Sequence, residues 1–232
     1  MLRTLFFYIV FIPWTLFVIL TGLPLSILSP DYLHAYGRFW ARVSLLLAGV
    51  RLTVEGHEHL PAYPVVFMPN HQSNFDILAL YAGLPVQFRW LAKEELFRIP
   101  LFGIAMRRSG YIPVNRSNHK KAIQSMAEAA RRISEGTSVI VFPEGTRSVD
   151  GTLLPFKKGG FLLAIDAAAP IVPVAIRGSH DVMPKYSHWI RGGRIRVTIF
   201  PAVPTAGTTP AGRDALMEAV RRPIAGAMGE KP

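Results

Sequence analysis

A histidine and an aspartate lie five positions apart in the segment Asn70-His71-Gln72-Ser73-Asn74-Phe75-Asp76. Imidazole is the side chain that most readily takes up a proton near neutral pH. A carboxylate bonded to its second ring nitrogen fixes the tautomer and stabilises the imidazolium. This spacing does not place two side chains on one face of a helix, but they can meet if His71 lies in a turn and Asp76 in the first turn of a helix. We therefore take His71 as a candidate general base and Asp76 as its orienting partner.

The sequence offers no obvious nucleophile to accompany this base. It has no cysteine, and it has no Gly-x-Ser-x-Gly segment that would present a serine on a sharp turn. The absence of cysteine also excludes a disulfide scaffold, a cysteine-ligated metal and thiol catalysis. We therefore expect the base to activate a hydroxyl group of the substrate itself.

A second segment, Phe142-Pro143-Glu144-Gly145-Thr146-Arg147-Ser148, has the composition of an anion-binding loop. Glycine allows a ligand to approach the backbone, Thr146 and Ser148 can donate hydrogen bonds, and Arg147 can grip a phosphate through two parallel bonds. A solvated turn is the alternative interpretation of this segment on its own.

Further cations follow other predicted strands. Arg116 ends the segment Gly110-Tyr111-Ile112-Pro113-Val114-Asn115-Arg116, and Lys93 ends a strand of its own. Lys157 and Lys158 precede a predicted helix. Each lysine alone is more often a solvated charge than a ligand.

The chain after Arg51 alternates short apolar runs with helical periodicity. Such alternation predicts an α/β sheet covered by helices on both faces, with the active groups on loops at strand ends. We assign residues 51–232 to this domain. The predicted strands are 51–56, 64–70, 88–93, 110–115, 138–145, 170–176 and 194–200, and the predicted helices are 73–83, 100–108, 117–136, 159–169 and about 208–222.

The amino-terminal region, residues 1–50, is expected to associate with a membrane. No charged residue occurs between Thr4 and Pro30, and one helix of about 27 residues would span a bilayer core of about 30 Å. Pro13 and the Gly22-Leu23-Pro24 step argue against a straight rod. A single span and a re-entrant helical hairpin are therefore equally good interpretations, and a cleaved signal peptide fits less well.

Composition favours a membrane over a nucleic acid as the anionic partner. The 232 residues are 50% hydrophobic and 18% charged, with a formal net charge of +11 and no nucleic-acid recognition motif. A basic surface attracts anionic membranes, phosphorylated ligands and nucleic acids alike. We expect no nucleic-acid partner, because nucleic-acid binders are usually basic and polar rather than basic and apolar.

Taken together, four blocks resemble the 1-acyl-glycerol-3-phosphate acyltransferase family. NHQSNFD matches its His-x4-Asp block, GYIPVNR its Gly-x5-Arg block, FPEGTRS its Glu-Gly-Thr-Arg block and IVPVAI its proline-centred strand. The resemblance extends from about Arg51 to Phe200, and the apolar start is also similar to bacterial members. It implies that the α/β sheet is mixed and covered by helices on both faces, as in glycerolphosphate acyltransferases.

The resemblance implies a reaction and a set of roles. His71 would take the proton from the free hydroxyl of a lysophosphatidate, with Asp76 orienting it, and the oxygen would attack the thioester of acyl-CoA or acyl-carrier protein. No metal and no cofactor is implied beyond this co-substrate. The residues implied in binding the phosphate are Arg116, Glu144, Gly145, Thr146 and Arg147, with Lys93 as a less certain helper.

The resemblance also implies a cellular setting. The partners would be membrane lipids and the acyl donor, and the domain would face the cytoplasm from the cell membrane.

Ser73 and backbone amides near the helix start are candidates for stabilising the oxyanion. Two alternatives remain: acylation of another lysolipid or of glycerol-3-phosphate, and a non-catalytic lipid-binding protein.

Overall fold

A computed structural model describes residues 1–115 and 118–229 of the chain. The helices in this part are α1 Leu2–Gly22, α2 Leu25–Leu28, α3 Pro30–Leu47, α4 Phe75–Gly83, α5 Phe102–Arg108, α6 His119–Ser134, α7 Lys158–Asp166, α8 Ser179–Val182 and α9 Arg213–Met228. The strands are β1 Val50–Glu55, β2 Val66–Pro69, β3 Arg89–Lys93, β4 Ile112–Val114, β5 Val139–Ile140, β6 Ile171–Arg177 and β7 Gly193–Ile199. Short 3-10 helices cover His57–His59, Glu94–Arg98 and Pro210–Gly212.

The seven strands form one sheet in the order β1-β7-β6-β2-β5-β3-β4. All neighbouring pairs are parallel except β6 and β7, which are antiparallel. The predicted mixed sheet is therefore confirmed, and each of the seven predicted strands overlaps an observed strand.

Two apolar clusters cover the two faces of the sheet, because successive side chains of a strand point to opposite faces. On β6, Val172 and Val174 join one cluster, which includes residues of α3 and α4. Ile171 and Ala175 join the other, which includes residues of α6, α7 and α9. The sequence prediction of helices on both faces is therefore confirmed.

The amino-terminal helices form an antiparallel hairpin against this domain. Gly22 lies so close to α3 that a Cβ there would be 2.8 Å from the side chains of Leu33 and Tyr36. Near the middle of the hairpin, Trp14 donates from Nε1 to the carbonyl oxygen of Trp40 at 3.3 Å. The chain leaves helical geometry at Ser29, between α2 and α3, where the backbone is extended.

Three details of the helices differ from expectation. Helix α1 continues through Pro13, so of the two predicted interruptions only the Gly22-Leu23-Pro24 step breaks it. Helix α6 is capped by Asn118, whose side chain accepts from the amide of Lys121, whereas Ser117, the first residue of the helix predicted from the sequence, lies outside the described residues. Helix α9 runs through Pro223 to Met228, because Ile224 and Ala225 are buried in the core beyond the predicted end.

Helix α3 carries a buried histidine. His34 has no exposed surface, and its Nδ1 is 3.3 Å from the hydroxyl of Tyr111. Burial, followed by the charges of Arg89 and Arg38, lowers the pKa of His34 to about 3. Burial also raises the pKa of Tyr111 to about 12. His34 is therefore neutral in the folded protein at any ordinary pH.

We predict that His34 makes the protein less stable in acid. His34 takes up a proton near its usual pKa of about 6.5 in the unfolded chain but not in the folded chain. Protonation below that pH therefore stabilises the unfolded chain and lowers the free energy of unfolding. The free energy of unfolding should fall by up to about 1.4 kcal/mol per pH unit below pH 6.5. Urea unfolding of the wild type and of His34→Phe at pH 7.5 and pH 5 measures the difference, and an equally steep decline in both proteins would contradict the prediction.

Candidate active site

Four neighbouring parallel strands bring most of the predicted site residues to one edge of the sheet. Strands β2, β5, β3 and β4 are adjacent, and the carboxyl ends of parallel strands lie at the same edge. His71 follows β2, the loop 144–148 follows β5, and Lys93 ends β3. Arg116, which follows β4, lies outside the described residues.

His71 and Asp76 meet as the sequence spacing suggested. His71 Nδ1 lies 2.8 Å from Asp76 Oδ2, and the aspartate side chain is fully buried while 16% of the histidine side chain is exposed. The same Oδ2 accepts from the amides of Gln72 at 2.7 Å and Ser73 at 2.8 Å. These amides precede α4, whose amino-terminal end favours negative charge. Asp76 thus fixes both the imidazole ring and the turn that carries it.

This contact determines which ring nitrogen can act as a base. A carboxylate only accepts hydrogen bonds, so Nδ1 carries the proton and Nε2 keeps a free lone pair. The ring of His71 is also stacked on Phe142, with centroids 3.8 Å apart and planes inclined by 15°. Two contacts, one polar and one aromatic, therefore hold the ring in a single orientation.

A second buried carboxylate holds the two segments together. Glu144 accepts from the amide of His71 at 2.6 Å through Oε1 and from the amide of Leu154 at 3.1 Å through Oε2. The amide of Ser148 donates to the carbonyl oxygen of His71 at 2.8 Å. Both oxygens of Glu144 are therefore engaged by backbone amides, one from the turn that carries His71 and one from Leu154.

The middle of the loop consists of Gly145, Thr146 and Arg147. Gly145 has φ +70°, and a Cβ there would lie 2.9–3.1 Å from the side chain of Lys157, so a larger residue is both strained and crowded. Thr146 is exposed and Arg147 is half-buried. Both border the cavity described next.

A cavity of about 560 Å³ opens beside His71, within the size range of ligand pockets. Its polar end includes His71, Lys93, Thr146 and Arg147. Its walls are mostly apolar and aromatic, with contributions from Val18, Ile19, Trp40, Trp90, Phe102 and Met106. An imidazole and a guanidinium thus share one cavity with a mostly apolar interior.

Two serines do not have the roles that we expected from the sequence. Ser73 is fully buried; its hydroxyl donates to the carbonyl oxygen of Met183 and accepts from the amide of Phe75. It cannot reach an oxyanion in the cavity, and the amides of Gln72 and Ser73 are occupied by Asp76. Ser148 is likewise buried, and its hydroxyl donates to Asp150 at 2.9 Å.

Sequence reasoning missed three residues of the site. Phe142 supports the ring of His71, and Lys185 contacts the loop 144–148. Asn70 clamps the end of β2 to β6, because its side chain accepts from the amide of Ile176 at 2.7 Å and donates to its carbonyl oxygen at 2.9 Å. Phe142 and Asn70 stand inside the recognised segments, but Lys185 lies far from any of them in sequence.

The four-block pattern is matched by a family model. The model described as Acyltransferase matches residues 51–177, which include the His71–Asp76 pair, the loop 144–148 and strand β6. The chain belongs to the acyltransferase family.

Its relatives indicate the branch of that family. The 1-acyl-sn-glycerol-3-phosphate acyltransferase of Limnanthes alba is 35% identical over 195 residues, covering 84% of this chain and 69% of that protein. The human 1-acyl-sn-glycerol-3-phosphate acyltransferase alpha is 38% identical over 177 residues, covering 75% of this chain. This chain spans 62% of the length of that human relative. The resemblance to 1-acyl-glycerol-3-phosphate acyltransferases is thereby confirmed.

A solved structure shares the whole fold. The crystal structure of the 1-acyl-sn-glycerophosphate (LPA) acyltransferase PlsC from Thermotoga maritima has a TM-score of 0.83 and 26% sequence identity, and the match covers 100% of this chain and 97% of that one. The amino-terminal helices are thus part of the shared architecture.

Proposed function

We propose that this protein is a 1-acylglycerol-3-phosphate O-acyltransferase, which transfers a fatty acyl group to the free hydroxyl of 1-acyl-glycerol-3-phosphate and gives phosphatidic acid for phospholipid synthesis. The observation that carries the proposal is the shared cavity, which is lined both by Arg147 and by His71, the partner of the buried Asp76. The relatives named above support the choice of acceptor.

The proposed reaction follows from the free lone pair on His71 Nε2. This nitrogen takes the proton of the acceptor hydroxyl while the oxygen attacks the thioester carbonyl of acyl-CoA or acyl-carrier protein. A new C–O bond forms, the C–S bond breaks, and the leaving thiolate takes the proton back from the imidazolium. Asp76 stabilises the imidazolium during this cycle. The protein forms no covalent acyl intermediate, and the reaction needs no metal or other cofactor.

The acceptor phosphate is bound in this proposal by the loop 144–148 and its neighbours. Arg147 supplies a planar fork that matches two phosphate oxygens, Thr146 supplies a hydroxyl, and Gly145 lets the phosphate approach the backbone. Lys93, at the end of β3, adds charge in this proposal, and Arg116, which lies outside the described residues, is a further cation. Glu144 takes part by tying this loop to His71 rather than by touching the phosphate.

The amino-terminal hairpin gives the substrates a route from the bilayer. The stretch Leu2–Leu28 has a mean hydropathy of 2.2 and is long enough to cross a membrane by length and composition, while only 22% of its most apolar window is buried within the protein. Val18 and Ile19 of the same helix line the cavity. We propose that the hairpin inserts into the cell membrane and that the catalytic domain faces the cytoplasm, where the acyl donor is made.

The first prediction from the proposed function tests the role of His71 as a base. General base catalysis contributes about 100- to 10,000-fold, so His71→Ala should lower acyl transfer by at least about 100-fold with an unchanged melting temperature. Asp76→Asn should lower the rate of acyl transfer less, because an amide still holds the ring but does not stabilise its charge. The double variant should be about as slow as His71→Ala alone, because the two residues act as a unit. Thiol release from acyl-CoA measures the rate.

The exposed His57→Ala serves as the matched control and should keep wild-type activity. A folded His71→Ala protein that transfers acyl groups at nearly the wild-type rate would refute the mechanism. Wild-type protein that binds lysolipid without any thiol release would favour a non-catalytic lipid-binding protein.

A second prediction concerns phosphate recognition. Arg147→Lys keeps the charge but loses the planar fork. The KM for lysophosphatidate should therefore rise about tenfold, which corresponds to the loss of one charge-assisted hydrogen bond. The KM for acyl-CoA should stay the same. Initial rates with each substrate varied in turn measure both constants, and Arg51→Lys on exposed strand β1 is the control. An equal rise in both constants would contradict phosphate binding by Arg147.

A third prediction concerns the membrane. Phe6, Ile9 and Leu20 are 54–62% exposed on α1, and removing three such side chains from an apolar phase costs roughly 5 kcal/mol. Replacing all three by Gln should release the protein from vesicles during a high-salt wash that leaves the wild type bound. Sedimentation measures the bound fraction.

The control replaces Ile123 and Val149, which are 56% and 57% exposed on the catalytic domain, by Gln and should leave binding unchanged. Wild-type protein that leaves the vesicles with salt alone would show that charge, rather than insertion, holds it there.

A further inference from the structure

A lysine outside all four sequence blocks holds the middle of the phosphate-binding loop. Lys185 lies between α8 and β7, is half-buried, and donates from Nζ to the carbonyl oxygen of Arg147 at 2.8 Å and to the hydroxyl of Thr146 at 3.2 Å. We propose that Lys185 is a positioning residue that sets Thr146 and Arg147 in the geometry that receives the acceptor phosphate. This inference rests on the proposed function.

The two ends of the loop are fixed by other means. Glu144 is bound to the amides of His71 and Leu154, and the amide of Ser148 donates to the carbonyl oxygen of His71. These contacts involve Glu144 and Ser148, the first and last residues of the loop. Lys185 contacts Thr146 and Arg147 between them, so it supports the part of the loop that the other contacts do not reach.

The contact with Lys185 also determines how Thr146 can bind a ligand. An ammonium group has donors and no acceptor, so the hydroxyl oxygen of Thr146 accepts from Lys185. The hydrogen of that hydroxyl is then free to point elsewhere, and Thr146 lines the cavity. Lys185 therefore makes Thr146 a hydrogen-bond donor toward the cavity, which is the polarity that a phosphate oxygen requires.

The segment that carries Lys185 is itself anchored. Its neighbour Met183 accepts at its carbonyl oxygen from Ser73 at 2.7 Å, and the amide of Ile190 donates to Thr4 of α1 at 3.0 Å. Tyr186 has φ +69°, a left-handed conformation that is strained for an aromatic residue. Strain of this kind persists only where the surroundings enforce it, and here it occurs directly beside the lysine.

Kinetics with each substrate varied separately test the role. Lys185→Met keeps the aliphatic stem but loses the charge and the donors, so the KM for lysophosphatidate should rise about tenfold, as for the loss of a charge-assisted contact. We expect kcat to stay within about twofold and the KM for acyl-CoA to stay unchanged. Lys185→Arg, which keeps charge and donors, should restore the KM to within about threefold of wild type.

Two further variants separate positioning from general charge or folding. The exposed Lys120→Met removes the same charge from α6 and should leave both KM values unchanged. Thr146→Val should raise the KM for lysophosphatidate. In the double variant Thr146→Val/Lys185→Met, the KM should rise by less than the product of the two single increases, because the effects of contacting residues are non-additive. Full multiplication of the two effects would overturn the proposed coupling.

Binding without an acyl donor distinguishes this inference from the proposed function. Calorimetry with lysophosphatidate in micelles should show weaker binding to Lys185→Met than to wild type, whereas monoacylglycerol, which lacks the phosphate, should bind both equally. Wild type that binds but does not transfer would refute the enzyme while leaving this comparison valid. Equal affinities of the two proteins for lysophosphatidate, a rise in both KM values, or a loss of melting temperature that Lys185→Arg does not repair would overturn the role of Lys185.

Discussion

The buried carboxylate of Asp76 is the constraint on which the site depends. One oxygen of a fully buried side chain accepts from His71 Nδ1 and from two successive amides. A carboxylate taken out of water must be compensated by donors, and the turn before α4 supplies them only if it folds around Asp76. The need to compensate this charge therefore shapes the turn, selects the tautomer of His71 and leaves its second nitrogen facing the cavity.

Glu144 extends the same principle to the neighbouring strand. Its carboxylate satisfies the amides of His71 and Leu154, so the loop after β5 and the turn after β2 form one unit. A buried, hydrogen-bonded network holds its members more rigidly than separate contacts would. The two kinds of side chain therefore differ in place: Asp76 and Glu144 are buried and bind backbone amides, while Thr146 and Arg147 line the cavity.

Much of this could be predicted from the sequence, for identifiable reasons. Strands and helices could be placed because apolar periodicity follows burial, and the meeting of His71 with the loop 144–148 followed from parallel strands ending at one edge. The role of Glu144 could not be predicted, because its residue type is compatible with both ligand contact and backbone support. Ser73 was misjudged because its burial depends on Met183, which is 110 residues away. Lys185 escaped notice for the same reason: its partners are distant in sequence and its own neighbours form no motif.

The contact between Thr4 and Ile190 joins residues 186 positions apart. Contacts of such long separation form late, since the entropy of closing a long loop must be met before they can form. During synthesis α1 leaves the ribosome long before β7 exists, and its residues Phe7, Val18 and Ile19 then lack the core into which they are later buried. An apolar helix whose side chains are exposed to water tends to aggregate, and binding to a lipid surface removes those side chains from water. The order of synthesis thus favours a chain whose first helix meets the bilayer before it meets the rest of its own fold.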